Sequence, residues 1–65
     1  MTLQVVYYTL TEKGKLNERN TIEGVKFVQF CLKGFKAFKG EDVFWFDEDK
    51  YKIAEVNQDI VVKEE

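Results

Sequence analysis

The sequence predicts an α+β fold in which one amphipathic helix packs on one face of an antiparallel sheet, in the order β-β-α-β-β-β. Three observations support this expectation. Polar residues recur at helical spacing in the middle of the chain, runs of β-branched and aromatic residues lie on both sides of it, and glycine-containing or acidic turns separate those runs. A length of 65 residues suits a single domain, residues 1–65.

The predicted helix extends from Asn20 to about Lys39. At about 100° per residue, most of its polar residues share one narrow arc, opposite a broad apolar sector. The polar positions are Glu23, Lys26, Gln29, Lys33 and Lys36, and the apolar positions are Phe27, Val28, Cys31, Leu32, Phe35 and Phe38, with Phe30 at the border. Asn20 is the expected N-cap, followed three residues later by Glu23 as in a capping box. Gly34 and Gly40 are both suitable C-terminal ends, and the pattern does not choose between them.

Strands are predicted before and after the helix. The first, Leu3–Thr11, leads through a turn to a short polar edge strand, Lys15–Arg19. Gly14 stands where a type I turn with a G1 bulge requires a positive φ. An antiparallel meander of three strands follows the helix, comprising Val43–Phe46, Tyr51–Val56 and Ile60–Val62, with a polar turn at 47–50.

Apolar side chains alternate onto both faces of these strands. The opposed sets are Val5 and Tyr7 against Val6 and Tyr8, and Phe44 and Phe46 against Val43 and Trp45. One helix covers one face, so the other face is buried by a second copy, exposed for a partner, or covered by loops and lysine stems. Since so small a domain has little core, we expect a homodimer.

The composition argues against catalysis. The chain has no histidine, serine or proline, so the usual proton-transfer side chain and the serine and cysteine-histidine triads are missing. Cys31, the single cysteine, lies within an apolar run and is expected to be a small buried hydrophobe. We therefore expect a protein that is not an enzyme and has no cofactor and no metal site.

Charge is segregated along the chain. Residues 26–40 carry four lysines and no acid, whereas residues 41–65 carry nine acids and three lysines. Each charged group is adequately explained as a solvated surface, but each also suggests a site. The acidic-aromatic set, the expected partner-binding site, comprises Trp45, Tyr51, Glu41, Asp42, Asp47, Glu48 and Asp49. The basic set, the alternative nucleic-acid site, comprises Lys26, Lys33, Lys36 and Lys39.

These patterns predict a non-catalytic protein-binding module that docks on a larger protein, resembling in size and composition the small inhibitor or accessory proteins of phages and mobile elements. The alternative is a single-stranded nucleic-acid-binding protein, which the sequence pI near 5.1 disfavours. The acidic turn also suggests a calcium site, but the EF-hand spacing and its glycine are missing. With no membrane-spanning run or signal-peptide pattern, and one cysteine, a cytoplasmic location is expected.

Overall fold

The structure is built from strands only. The computed structural model describes residues 2–58, in which six strands form two antiparallel three-stranded sheets and no helix occurs. The strands are β1 (Leu3–Leu10), β2 (Leu16–Val25), β3 (Phe27–Cys31), β4 (Gly34–Lys39), β5 (Asp42–Asp47) and β6 (Tyr51–Gln58). Sheet I has the order β2-β1-β6, and sheet II has the order β3-β4-β5. The predicted α+β class is therefore wrong.

The predicted helix is replaced by the end of β2 and the hairpin β3–β4. Asn20 pairs with Tyr7 in sheet I, so it is a strand residue and not a cap. In the hairpin, residues alternate between two faces, and a two-residue turn at 32–33 resets the alternation. The polar residues that suggested one helix face lie on β2, on β3, on β4 and in the turns between them. Local periodicity misled because pairing between strands, which periodicity does not report, decided the structure.

Sheet I contains the hairpin that the sequence predicted at Gly14. The amide of Gly14 donates to the carbonyl of Thr11 at 2.8 Å, and Gly14 has a φ of 77°. Thr11 and Lys15 close the loop, with the amide of Thr11 donating to the carbonyl of Lys15 at 2.8 Å. The type I turn with a glycine bulge is thus confirmed. The strand that follows is longer than expected, because β2 continues to Val25 instead of ending at Arg19.

A bulge near the end of β2 leads the chain from one sheet into the other. Leu3 pairs with Val25 and Val5 pairs with Ile22, so two residues of β2 oppose a single residue of β1. Gly24, in this bulge, has a φ of 73°, a backbone conformation in which residues other than glycine are strained. Only Lys26 separates the end of β2 from β3. One nearly continuous extended segment therefore joins the sheets.

The predicted meander is also wrong in its connections. The turn at 47–50 forms as predicted, with the amide of Lys50 donating to the carbonyl of Asp47 at 3.0 Å. However, the strands on its two sides belong to different sheets, since β5 pairs with β4 and β6 pairs with β1. The third predicted strand, Ile60–Val62, lies outside the described residues.

The core lies between the two sheets. Its buried members are Val5, Val25, Phe35, Ala37 and Phe46. The ring of Phe46 joins the sheets, because its centroid lies 4.6 Å from that of Phe35 in sheet II and 4.7 Å from that of Tyr7 in sheet I. Tyr51 completes the cluster, with its ring 5.2 Å from Phe46 in an edge arrangement. The core therefore comes from strand alternation in both sheets.

Candidate protein-binding surface

The outer face of sheet II, which points away from the core, carries exposed apolar side chains. Phe27, Phe38 and Val43 form one cross-strand row, and Trp45 follows Val43 on the same face of β5. We call these four residues the aromatic face. Their exposed fractions include 52 % for Phe27, 54 % for Val43 and 46 % for Trp45. The rings of Phe27 and Phe38 stack with centroids 4.2 Å apart, so the face is ordered by its own contacts.

Trp45 packs against a glycine on the neighbouring strand. A Cβ atom built on Gly34 would lie 3.0 Å from the Cη2 atom of Trp45, and it would collide with the backbone carbonyl oxygen of Phe46. The indole therefore lies against bare backbone at Gly34. Lys36 is the direct cross-strand neighbour of Trp45, and Gln29 is the next residue in the same row, so a cation and an amide lie beside the indole.

The predicted acidic residues lie at the two ends of β5. Glu41 and Asp42 are at its start, in and beside the β4–β5 turn, and Asp47, Glu48 and Asp49 are at its end. The Asp47 carboxylate accepts a hydrogen bond from the amide of Asp49 at 3.0 Å, which shapes the second turn. A six-residue strand is about 20 Å long, so the two acidic groups flank Trp45 and do not form one cluster.

Tyr51 does not share the aromatic face with Trp45. Its ring lies in the interior, 5.7 Å from that of Tyr7. Burial is the main cause that raises the pKa of Tyr7 above its ordinary value, and the neighbouring Tyr51 raises it further. This pair of phenols is part of the packing between sheets. Tyr51, one of the predicted partner-binding residues, therefore has an evident structural role.

The four lysines of the basic set do not form the predicted stripe. Lys36 lies on the aromatic face, Lys33 is in the β3–β4 turn, and Lys26 and Lys39 stand at strand ends. The stripe was an inference from helical geometry and is lost with the helix. What remains is a single lysine beside Trp45, with the others distributed around the edges of sheet II.

An open groove of about 630 Å³ runs along β5 between the two sheets. Its walls are Tyr7 and Tyr51 of sheet I with Thr21, Ile22 and Glu23 of β2 on one side, and Lys39 with residues 43–46 on the other. Both Trp45 and Tyr51 line it, so this groove is where the two predicted aromatics come together. In the described residues, no group of three or more His, Cys, Asp or Glu side chains is placed to hold a metal ion.

Sequence reasoning missed the aromatic partners of Trp45 and misjudged Cys31. Phe27 and Phe38 were assigned to the buried sector of a helix, but both lie on the outer face of sheet II. Cys31, expected to be buried, is exposed. The segment lacks the apolar-polar alternation that indicates a strand, because both faces of β3 carry apolar residues, Phe27 and Cys31 on one and Val28 and Phe30 on the other. The helical spacing of the polar residues was therefore the stronger pattern.

Residues 2–58 contain no helix long and apolar enough to cross a membrane. Comparison of the chain with protein-family models, with curated proteins and with solved structures finds no match.

Proposed function

We propose that the protein is a non-catalytic binding module whose aromatic face docks on another protein. The observation that supports this most directly is the exposure of Trp45, Val43 and Phe27 on one face of sheet II. Neighbouring apolar side chains on an outer sheet face are typical of interaction surfaces, and tryptophan is among the residues enriched at binding hot spots. The face is held by paired strands, so little ordering is required on binding.

The acidic turns at the two ends of β5 select the partner in this proposal. Five carboxylates flank Trp45, in Glu41 with Asp42 and in the segment 47–49. Carboxylates around an apolar centre accelerate encounter with a basic surface and disfavour acidic partners. The expected partner is therefore a larger protein with a basic rim around an apolar site. We propose a reducing, cytoplasmic setting, which is compatible with the exposed thiol of Cys31.

The proposal is tested by photo-crosslinking in cells of the source organism. A photo-crosslinking amino acid is placed at position 43 on the aromatic face, and in a control chain at position 19, on the outer face of sheet I. We expect a discrete adduct from position 43, none from position 19, and loss of the adduct in the Trp45→Ala background. Equal adducts from both positions, or an adduct insensitive to Trp45→Ala, contradict the proposal.

Charge reversal identifies the role of the turns. Glu41→Lys and Glu48→Lys together are expected to reduce the yield of the position-43 adduct, and the reduction is expected to be larger at low ionic strength, where charges are less screened. A matched control is Glu18→Lys with Glu55→Lys, which makes the same change of net charge on exposed residues of sheet I. If both pairs reduce the yield equally, the acidic turns have no specific role.

One observation favours a second function, single-stranded nucleic-acid binding. Lys36 stands directly across from Trp45, and Phe38 lies on the same face, so a cation and stacking rings are side by side. This arrangement suits a base stacked on the indole with a phosphate on the lysine. Fluorescence anisotropy with a labelled 12-nucleotide thymidine oligomer at low salt distinguishes the two functions. Lys36→Glu abolishes binding if this function holds, whereas Glu41→Lys strengthens it.

Homodimerisation stays a prediction. The aromatic face is a candidate surface for a second copy as well as for a different protein. Multi-angle light scattering over a range of concentrations measures the mass directly, and Trp45→Ala is expected to shift any dimer towards the 7.7-kDa monomer if this face forms the interface.

A further inference from the structure

We propose that the free edge of β5 receives an extended peptide strand with basic residues at both ends, so that sheet II grows from three strands to four. This inference rests on the proposed function and names the form in which the partner is recognised. The occupant is a segment of another protein, bound by main-chain hydrogen bonds in the groove between β5 and β2.

The groove faces the edge of β5 and not one of its faces. On the β5 side, the groove is lined by four consecutive residues, Val43, Phe44, Trp45 and Phe46. Because successive side chains of a strand point to opposite faces, a surface that contacts only one face meets every second residue. Contact with four in a row therefore places the opening beside the backbone. Within residues 2–58, β5 pairs with β4 alone, so this side of the strand has no strand partner.

The direction of the backbone groups follows from the turn at the end of β5. The carbonyl of Asp47 accepts from the amide of Lys50, so the polar groups of Asp47 point away from β4. In an antiparallel ladder this direction alternates along the strand. Trp45 and Val43, two and four residues earlier, consequently present their amides and carbonyls to the groove. Phe46 and Phe44 direct theirs to β4.

Val43 and Trp45 together offer an added strand two backbone donors and two backbone acceptors in extended geometry. The groove provides contacts for its side chains as well. Tyr7, Ile22 and Tyr51 form an apolar wall opposite β5, while Glu23 and Lys39 add one charge of each sign. Alternate side chains of the incoming strand would meet this wall, and the others would extend the aromatic face beyond Trp45.

Charge decides between a foreign strand and a second copy of β5. Antiparallel pairing of two β5 edges would place Asp42 of one chain near Asp47 of the other, and parallel pairing would also align acid with acid. Like charges opposed across strands are destabilising. A strand flanked by lysine or arginine instead meets a carboxylate at each end. The acidic ends thus disfavour self-pairing and favour a basic partner.

The test uses a fluorescein-labelled peptide in which valine and threonine alternate over five residues between two pairs of lysines. A matched control has the same core between two pairs of glutamates. By fluorescence anisotropy with the full chain, we expect the lysine-flanked peptide to bind at least about tenfold more tightly. Equal binding of both peptides overturns the charge argument, and absence of binding by either overturns the proposal while leaving the crosslinking result from position 43 to decide the proposed function.

Backbone hydrogen exchange measured by NMR locates the peptide. On saturation, the amides of Val43 and Trp45 are expected to exchange at least about tenfold more slowly, while those of Phe44 and Phe46, already bonded to β4, change little. Peptide-induced shifts confined to side chains of the aromatic face, with Val43 and Trp45 amides unprotected, would show face binding without strand addition. That result overturns this inference and keeps the proposed function.

A variant tests the main-chain bonds. Val43→Pro removes an outward amide without removing a bond to β4. Val43→Ala also changes the side chain but keeps the amide. We expect the proline variant to bind about tenfold more weakly than the alanine variant, since only the proline variant lacks the outward amide. If Val43→Pro fails to fold, the exchange measurement on the unaltered chain decides.

Two other occupants have distinct signatures, and either one overturns the proposal. Concentration-dependent protection of the Val43 and Trp45 amides without peptide indicates a second copy at the edge. Peptide binding that appears only in a chain ending at Gln58 indicates that residues 59–65 occupy the edge of the full chain.

Discussion

The outer faces of the two sheets differ in how much apolar surface they leave in contact with water. In sheet I, the outward-pointing Val6 is only 2 % exposed. In sheet II, the outward-pointing Val43 is 54 % exposed and Trp45 is 46 % exposed. The same alternation of apolar residues thus produces a covered face on one sheet and an open face on the other.

Strand position and neighbouring side chains explain the difference. Val6 is on β1, the central strand of sheet I, and its cross-strand neighbours on the outer face are Thr21 and Glu55. Polar and charged side chains on both flanking strands cover a valine between them. Val43 and Trp45 are on β5, an edge strand, and are flanked on one side only. Apolar residues on an edge strand remain exposed unless another chain covers them.

The largest expected effect concerns the side chain of Phe46, which contacts residues of both sheets. Phe46→Ala removes the ring that contacts both Phe35 and Tyr7, and leaves a cavity between the sheets. We expect a loss of about 3–5 kcal/mol in the free energy of unfolding, enough to unfold much of so small a domain. Urea denaturation followed by circular dichroism measures it. Trp45→Ala, the adjacent residue on the open face, serves as the control and is expected to cost far less.

Gly34→Ala tests the close approach beneath Trp45. The added methyl group would collide with the carbonyl of Phe46 and touch the indole, and since the carbonyl belongs to the backbone of β5, the strands must separate. We expect a loss of about 3 kcal/mol and a changed Trp45 fluorescence spectrum. Gly14→Ala is the control, since nothing lies within 4 Å of its added Cβ and only the positive φ opposes it, at about 1 kcal/mol. Equal losses in both variants would contradict close packing at Gly34.

A matched pair of valine substitutions tests whether the outer face of sheet I is covered and that of sheet II is open. Val6→Ala is expected to lower the free energy of unfolding by about 2 kcal/mol because the side chain is covered. Val43→Ala is expected to cost less than about 0.5 kcal/mol because its methyl groups are largely in water. Both are read from urea midpoints at equal protein concentration. A large cost at Val43 that grows with concentration would mean that a second copy covers the open face.

The sequence was informative where a local rule is strict. Gly14 and its turn, the first strand, and the turn after Asp47 were all predicted, because turn chemistry and β-branched runs depend on few residues. The helix predicted over 20–39 was wrong because polar residues on β2, β3, β4 and the turns between them happen to recur at the spacing of a helix face. Period alone does not distinguish the two structures, and the decisive pairs, such as Phe38 with Val43, join separate strands.

The candidate surface shows the same division. That Trp45 and the two acidic segments lie along one strand follows from their positions in the chain. Phe27 and Phe38 join Trp45 only through the register of β3, β4 and β5, which no local pattern specifies. The groove likewise depends on β5 standing at an edge of one sheet and facing β2 of the other. The register between strands and the packing of one sheet against the other are therefore what the sequence alone did not reveal.

The smallest expected effect is a pH dependence that arises where the sheets meet. Since the pKa of Tyr7 is raised in the folded protein, first by burial and then by Tyr51, the folded state retains this proton to higher pH than the unfolded chain does. In the window above the ordinary tyrosine value of 10.0, the native state holds more protons than the unfolded state, so stability decreases as pH rises through it. Tyr7→Phe is expected to flatten that decrease in thermal unfolding followed by circular dichroism between pH 8 and pH 11. Tyr8→Phe, on the outer face of the same strand, is the control for general alkaline effects. If stability decreases with pH equally in both variants, the packing around Tyr7 does not raise the pKa of its phenol. The ring of Tyr7 would then be less enclosed than its contact with Phe46 indicates.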